Sequence, residues 1–374
     1  DLQGQPAPND DLDLQLVWLF AAEKHGIFNL NERILAEYWM QNIIGPWNEY
    51  AVCRANIRNG LFPPLSGSCN NDRWKNSNGA WIRSEIWACL FPGEPDMAAQ
   101  FAYMDACVDH CGEGIFAEMF TAALEAAAFI ISDIKQLIEI GLSKIPADCR
   151  IARSIKLACE LYEKNTPFKD ARNAIVKDSN DLGWFQAPAN IGFTVLGLLY
   201  SEGDFGRSVC YAVNCGDDTD CTGATAGSIL GIMLGKSGIP AQWIEPIGNS
   251  IQTIAIDPVD ARQMPQSLDE LTDRVIRLAG AVQYEPFRGA NLGRAGVADD
   301  RAQIEQLTAR QTQVREHCGR LATTMNGASG AALARVLGYP EAIQTAGQVA
   351  NANLAGEPLA GAVDASPAGL APHG

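Results

Sequence analysis

The amino-acid sequence predicts an all-α protein, and three observations lead to this fold class. Apolar residues recur at helical spacing along most of the chain. The period-two alternation that is typical of half-buried strands is nearly absent. Hydrophobic residues make up 47% of the 374 residues, which is ample for the core of a helical bundle.

Each predicted helix is placed on a run of apolar residues at helical spacing. The first helix illustrates this, because Leu12, Leu16 and Leu19 fall on one face and Gly26 follows as a stop. The helices predicted in this way cover, in chain order, residues 12–25, 31–42, 47–59, 80–90, 94–109, 115–131, 133–142, 150–164, 167–178, 188–201, 205–213, 222–236 and 267–281.

The segment 60–79 interrupts this pattern and is predicted to be a polar loop rich in Pro, Gly, Asn and Ser. Two interpretations of it are open. It could line the edge of a functional site, since functional residues favour loops on a rigid scaffold. It could equally be a plain surface connection.

The helical pattern predicts one domain over residues 1–284 and a C-terminal extension over residues 285–374. In the extension, residues 299–325 can form one amphipathic helix, followed by a second near 328–338. From Ala346 onward the chain is rich in Ala, Gly and Pro with few large apolar residues, so we predict disorder there.

Charge and hydropathy exclude several classes of partner. The formal net charge of −16 argues against a nucleic-acid-binding protein, which needs a basic face, and also disfavours binding to anionic membranes. No stretch approaches the roughly 20 apolar residues of a membrane span, and no signal peptide is visible. A phosphate-bearing substrate would need metal ions or helix N-termini to offset this charge locally.

The eleven cysteines do not resemble a disulfide scaffold. Their odd count and their positions on helix-like segments favour reduced, buried thiols and a cytoplasmic location. Cys107, His110 and Cys111 lack the spacing of a zinc site. The thiols of Cys215 and Cys221 flank an acidic loop, where either core packing or a redox role is open.

Three carboxylates lie within four positions of that loop, at Asp217, Asp218 and Asp220, and a Gly- and Ala-rich helix follows. Clustered oxygen ligands suggest a site for Mg²⁺, Mn²⁺ or Ca²⁺. The alternative is an N-cap with acids that complement the helix dipole. A calcium EF-hand is excluded, because its twelfth position should be Glu and is Ile229.

A second acidic cluster, with Asn9, Asp10, Asp11 and Asp13, opens the first predicted helix. Ordinary N-capping would explain it if it stood alone. Two helix N-termini with clustered acids could jointly hold one or two divalent ions. The pair of clusters therefore favours a metal site.

The two clusters and their order resemble the ADP-ribosylglycohydrolase family. Residues 9–12 are similar to its Thr-Asp-Asp-Thr motif, and residues 216–221 to its Gly-Gly-Asp-Thr-Asp-Thr motif. Weaker similarities lie at residues 78–83, 109–114 and 189–205, and the resemblance covers about residues 5 to 280. It implies a multi-helix orthogonal bundle with two Mg²⁺ or Mn²⁺ ions.

The resemblance also implies roles for individual residues. Asp11, with Asp10 beside it, is the expected catalytic pair, and Asp11 is the expected general base. The expected metal ligands are Asn9, Asp10, Asp11, Asp218, Asp220 and Cys221. The expected substrate-binding residues are Asn78, Gly79, Arg83, His110, Gly112, Gly114 and Asn190.

Alternatives remain open for several of these positions. His110 could be a helix cap, and Arg83 a surface ion-pair residue. Glycine-rich helix N-termini at 112–115 and 222–225 could bind a diphosphate. Most tryptophans fall at apolar helical positions and are expected in the core, whereas Trp184 with Phe185 could stack on an adenine ring.

Two departures from the family pattern affect these expectations. Cys221 replaces a Thr ligand, and a thiol is a soft donor for the hard Mg²⁺ ion, so Thr222 or a water could substitute. The family's Gly-rich first helix and gating Glu have no counterpart before Asp10. We therefore expect a fragment, a trimmed product or a member completed by another chain.

Three functional hypotheses follow. The first is metal-dependent hydrolysis of a glycosidic bond to ADP-ribose, in a modified protein or a small molecule, with no nucleic-acid or membrane partner. The second is a catalytically inactive member that acts as a binding or structural protein. The third is a metal-dependent hydrolase of unrelated small molecules on the same scaffold.

Overall fold

The computed structural model describes residues 6–287, and these residues form an all-α protein, as predicted. They contain isolated β-bridges but no β-strand. The helices are α1 (Asp10–His25), α2 (Glu32–Asn42), α3 (Asn48–Arg58), α4 (Leu65–Ser68), α5 (Glu85–Leu90), α6 (Pro95–Ala106), α7 (Glu113–Ala128), α8 (Ile134–Leu142), α9 (Arg150–Glu163), α10 (Phe168–Ser179), α11 (Ala187–Tyr200), α12 (Phe205–Asn214), α13 (Thr219–Leu234), α14 (Ala241–Ile244) and α15 (Leu268–Phe287). The predictions for residues 288–374 lie outside the described residues.

Two apolar helices form the centre of this bundle. Nearly every residue of α7 and of α11 is buried, as expected of helices that are apolar on all faces. Helices α5, α6 and α8 pack on α7, while α9, α10 and α12 pack on α11. Helix α13 contacts both central helices, so its N-terminal end is fixed by the core.

The helices that carry the acidic motifs begin earlier than the apolar periodicity predicts. Helix α1 begins at Asp10 and α13 begins at Thr219, whereas the predicted starts are 12 and 222. The first turns are polar, so an apolar pattern does not detect them. In consequence the acids lie at or within the first helical turns, where the helix dipole favours negative charge.

The segment 60–79 is more ordered than a plain surface connection. It contains α4, and its end is buried, with Ser77 and Asn78 both inaccessible to solvent. An isolated bridge joins Ser77 to Gln186, and the Ala187 amide donates to the Asn76 carbonyl at 2.9 Å. These bonds fix the end of the segment against the start of α11.

The described cysteines and tryptophans follow the sequence expectations in part. None of the described cysteines forms a disulfide. Four tryptophans are fully buried, namely Trp18, Trp39, Trp81 and Trp87. Trp47 was expected in the core but is partly exposed, since it lies at the start of α3.

Within the described residues, no helix combines the length and apolar character that crossing a bilayer requires.

Candidate metal centre

The N-terminus of α1 is capped by Asn9, which leaves the neighbouring acids available for other roles. The Asn9 Oδ1 atom accepts from the Asp11 amide at 2.8 Å. The Nδ2 atom of the same side chain donates to Asp220 Oδ2 at 3.1 Å. The Asn9 side chain therefore caps α1 and joins the two acidic motifs directly.

The N-terminus of α13 is organised by asparagines from other elements. Asp218 occupies the N-cap position, but its side chain makes no capping hydrogen bond. Instead, Asn78 Nδ2 donates to Asp218 Oδ2 at 2.7 Å, and the Asp218 amide donates to Asn190 Oδ1 at 3.2 Å. The Asp218 side chain therefore does not cap the backbone of α13, and its carboxylate accepts from a distant side chain instead.

The two motifs converge at one point. Asp11, Asp220 and Cys221 each offer a ligand atom, and these atoms all lie within 4.8 Å of one another. Asp10 lies beside them, where its Oδ2 atom accepts from the Tyr50 hydroxyl at 2.7 Å. Residues about 210 positions apart in the sequence thus form a single acidic centre.

Burial and repulsion by neighbouring acids disfavour the charged forms of Asp11 and Asp218. Burial raises the pKa of Asp11 well above its usual value, and the charges of Asp10 and Asp220 raise it further. Burial and then the neighbouring Asp220 carboxyl raise the pKa of Asp218 to about 7. Such a cluster suits a bound cation, because a nearby positive charge favours ionised carboxylates.

The donor atoms fit a hard divalent ion in all but one position. Carboxylate and amide oxygens are the ligands of Mg²⁺ and Mn²⁺. The exception is Cys221, since burial and the acids around it raise the pKa of its thiol and keep it protonated. The Thr222 hydroxyl, the substitute ligand offered by the sequence, donates to the Thr219 carbonyl of its own helix at 3.3 Å and keeps its oxygen lone pairs.

Sequence reasoning missed two polar residues beside this centre. Gln15 Nε2 donates to the Asp11 carbonyl at 3.3 Å and to Glu85 Oε2 at 3.0 Å. Burial raises the pKa of Glu85 to about 7, and its charge contributes to the raised pKa of Asp11. A Glu among the apolar residues of α5 was the signal available in the sequence.

Arg83 lies in the core rather than at the surface or in the site. Its guanidinium is fully buried and forms salt bridges with Asp105 at 2.9 Å and with Asp109 at 2.7 Å. It also donates to the Gly79 carbonyl. This corrects both expectations for Arg83, because a side chain enclosed in this way neither contacts substrate nor forms a surface ion pair.

His110 is also fully buried. Its Nδ1 atom lies 2.9 Å from Asp109 Oδ1, and its Nε2 atom lies 3.1 Å from the Ser77 hydroxyl. A Cβ atom at Gly114 would lie 2.6 Å from the His110 ring, so this glycine permits close packing. His110 and Gly114 therefore hold the 60–79 segment against α7 in this structure, and neither is open to a ligand.

The remaining glycine positions also act through the backbone. Gly79 has no room for a side chain, because Glu49 occupies that space. Gly112 precedes α7 with a φ of 62°, which favours glycine. The next amide, of Glu113, donates to Asn76 Oδ1 at 3.2 Å.

Residues 222–225 lie inside α13, so they are not the helix N-terminus that was expected to bind a diphosphate.

Comparison with known proteins identifies similar chains. The family model described as ADP-ribosylglycohydrolase matches residues 2–285. ADP-ribosylarginine hydrolase Tri1 from Pseudomonas putida (strain GB-1) is 33% identical over 78 residues, which are 20% of this chain and 21% of that protein. The chain thus spans about a fifth of the length of this curated relative.

Among solved structures, a chain of an ADP-ribosylglycohydrolase-related protein complex is similar. It is 18% identical with a TM-score of 0.48, and the match covers 72% of this chain and 80% of the other.

Proposed function

The chain belongs to the ADP-ribosylglycohydrolase family, and we propose that it hydrolyses a glycosidic bond to ADP-ribose with divalent metal ions. The observation that carries this proposal is the convergence of Asp11 and Asp220 from two distant motifs. Carboxylates held this close repel one another, and burial adds to the cost of the charged form of Asp11. A metal-dependent activity gives them a physical reason.

The residues that would hold Mg²⁺ or Mn²⁺, in two sites by family resemblance, are Asn9, Asp10, Asp11, Asp218 and Asp220. When bound, such ions orient ribose hydroxyls and lower the pKa of a water molecule. Around them, Asn78 fixes the Asp218 carboxylate and Tyr50 fixes Asp10. These hydrogen bonds would orient the ligands, as supporting residues do in metal sites.

The chain's own proton acceptor in this proposal is Asp11. A water oxygen forms a bond to the anomeric carbon of the ribose, and the bond from that carbon to the leaving group breaks. The water proton passes to the Asp11 carboxylate and from there to the leaving group, which departs with the bonding electron pair. Bound ions would keep the Asp11 carboxyl ionised, as a proton acceptor must be.

Arginine-linked ADP-ribose is the first substrate to test, because the Pseudomonas putida relative is an ADP-ribosylarginine hydrolase. A cytoplasmic location forms part of the proposal and is supported by described cysteines that form no disulfides.

A catalytically inactive, binding member is the second candidate, and Cys221 is the observation that favours it. A protonated thiol replaces a hard ligand in the centre. If the wild type releases no ADP-ribose while Cys221→Thr does, the inactive candidate holds for the natural chain.

The test is release of ADP-ribose from an ADP-ribosylated arginine peptide, followed by mass spectrometry with Mg²⁺, with Mn²⁺ and with EDTA. We expect release with metal only, and loss of release in Asp218→Asn. The matched control is Asp217→Asn in the same loop, since an Asn can also accept from the Phe185 amide that donates to Asp217 Oδ1 at 3.0 Å. Full activity of Asp218→Asn would place the active site elsewhere.

A further inference from the structure

One ligand atom of the acidic centre differs in chemistry from the others. Cys221 is the third residue of α13, and it is 4% exposed. Its sulfur lies within 4.8 Å of the ligand atoms that Asp11 and Asp220 offer. Sulfur is a soft donor, whereas the carboxylate oxygens beside it are hard donors. The centre therefore combines one sulfur with carboxylate oxygens, and the two kinds of donor favour different ions.

The Asp11 carboxylate indicates a cation independently of the thiol. Asp11 is only 9% exposed. Its backbone amide donates to Asn9 and its carbonyl accepts from Gln15, but within the described residues no hydrogen bond reaches its carboxylate. Buried polar groups in folded proteins are nearly always paired. A cation is the partner that matches the charge of this one.

The fold holds the Cys221 sulfur among these acids. Helix α13 packs on both central helices, α7 and α11, so its first turns are fixed by the core. The thiol also hydrogen-bonds to the carboxylate of Asp218, which belongs to the same centre. The sulfur is thus surrounded by the carboxylates that would share an ion with it.

The separation of the three ligand atoms suits coordination of one ion. In zinc sites the metal lies about 2.3 Å from sulfur and about 2.0–2.2 Å from a carboxylate oxygen, so two ligands of one ion are at most about 4.5 Å apart. The atoms of Asp11, Asp220 and Cys221 already lie within 4.8 Å of one another. Small side-chain rotations would bring all three onto one ion.

We propose that Cys221 gives the acidic centre a preference for thiophilic divalent ions such as Zn²⁺ over Mg²⁺. On binding, the S–H bond breaks, the proton passes to solvent, and the thiolate forms a bond to the ion, as coordinating thiols do. Mg²⁺ is a hard ion that binds through oxygens and gains little from sulfur. The inference shares its metal centre with the proposed function, but it does not depend on hydrolysis of ADP-ribose.

The test needs a signal that only a metal–sulfur bond gives, because most protein sites bind Zn²⁺ and Co²⁺ more tightly than Mn²⁺. Co²⁺ bound to a thiolate absorbs in the near ultraviolet by charge transfer from sulfur to cobalt. We expect this absorption when Co²⁺ is added to the reduced wild-type chain, and its loss in Cys221→Ser. The matched control is Cys210→Ser, which removes an exposed thiol of α12 and should keep the absorption.

The affinities for Zn²⁺ and Mg²⁺ supply a second readout. Loss of a supporting residue alone typically weakens metal binding about 10- to 100-fold, so loss of a direct ligand in Cys221→Ser should weaken Zn²⁺ binding at least about 10-fold. Mg²⁺ binding, followed by calorimetry, should not weaken. Cys221→Thr offers a hydroxyl oxygen, so it should also lose the cobalt absorption and should bind Mg²⁺ more tightly than the wild type.

Three results overturn the inference. They are no charge-transfer absorption in the wild type, absorption that persists in Cys221→Ser, and an unchanged ratio of Zn²⁺ to Mg²⁺ affinity in that variant. Circular dichroism checks the fold, and Cys221→Thr decides if Cys221→Ser does not fold. A cobalt–sulfur absorption in a chain that releases no ADP-ribose supports this inference and overturns the proposed function. Release of ADP-ribose with Mg²⁺ and no such absorption does the opposite.

Discussion

At the scale of single residues, Arg83 shows how burial changes the meaning of a charged side chain. Its salt bridges with Asp105 and Asp109 are fully enclosed, and the Trp87 indole also donates to Asp105, at 2.8 Å. Burial of one cation between two carboxylates gives an ion pair that solvent does not screen. Its contribution should therefore appear in stability rather than in substrate affinity.

We expect Arg83→Met to lower the free energy of unfolding by about 3–5 kcal/mol, because it leaves two buried carboxylates without their cation. Urea denaturation followed by circular dichroism measures this. Lys164→Met is the matched control, since Lys164 and Glu160 form an exposed pair worth less than about 1 kcal/mol. A stable Arg83→Met variant with impaired ADP-ribose binding would instead restore Arg83 as a substrate contact.

At the scale of helices, the sequence predicts the existence of an element better than its first turn. The apolar periodicity locates α1 and α13, because the buried faces repeat at helical spacing. It does not locate their N-termini, which depend on bonds made by Asn9 and Asn190. Partners this distant in sequence follow from the packing of α1, α11 and α13 and not from local composition.

Partners that are distant in sequence also give the acids of the first motif different roles. Asp13 has the same residue type as Asp10 and Asp11, yet its side chain bonds to the backbone of a distant segment. Its Oδ2 atom accepts from the amides of Ile254 at 2.7 Å and of Ala255 at 2.6 Å. Asp13 therefore fastens residues 254–255 to α1. The partner that each side chain meets in the fold distinguishes these roles, and composition does not.

We expect Asp13→Ala to lower the free energy of unfolding by about 1–3 kcal/mol, because it leaves two amides without an acceptor. Amide hydrogen exchange should accelerate at residues 254–255 while the centre of α1 stays protected. Asp13→Asn keeps an acceptor oxygen and should show a smaller loss. Unchanged exchange at residues 254–255 would mean that this attachment contributes little to local stability.

At the scale of the whole molecule, several buried carboxyl groups keep their protons to an unusually high pH. Burial raises the pKa of Glu49 to about 7, and the pKa of Asp218 is also about 7. For Asp13, burial outweighs the hydrogen bonds from backbone amides and gives a pKa of about 6. The acidic composition could be read from the sequence, whereas these shifts depend on enclosure by helices that only the fold brings together.

These shifts fix the sign of the pH dependence. A carboxyl group with a higher pKa in the folded chain than in the unfolded chain binds more protons when folded. The metal-free protein should therefore lose stability as the pH rises from about 4 through about 7, where Asp218 and Glu49 ionise. A cation at the centre favours ionised Asp218 and Asp11, so metal should oppose this loss at the upper end of the range.

Thermal unfolding with EDTA and with Mg²⁺ or Mn²⁺, at pH 5 and at pH 7.5, tests this. We expect the Tm in EDTA to fall by roughly 5 °C or more between the two pH values. The stabilisation by metal should be larger at pH 7.5 than at pH 5, because protonated carboxyl groups bind cations poorly. Asp218→Asn should reduce both effects, whereas Asp217→Asn should preserve them. Equal Tm values with EDTA and with metal at pH 7.5 would show that the acidic centre binds no divalent ion.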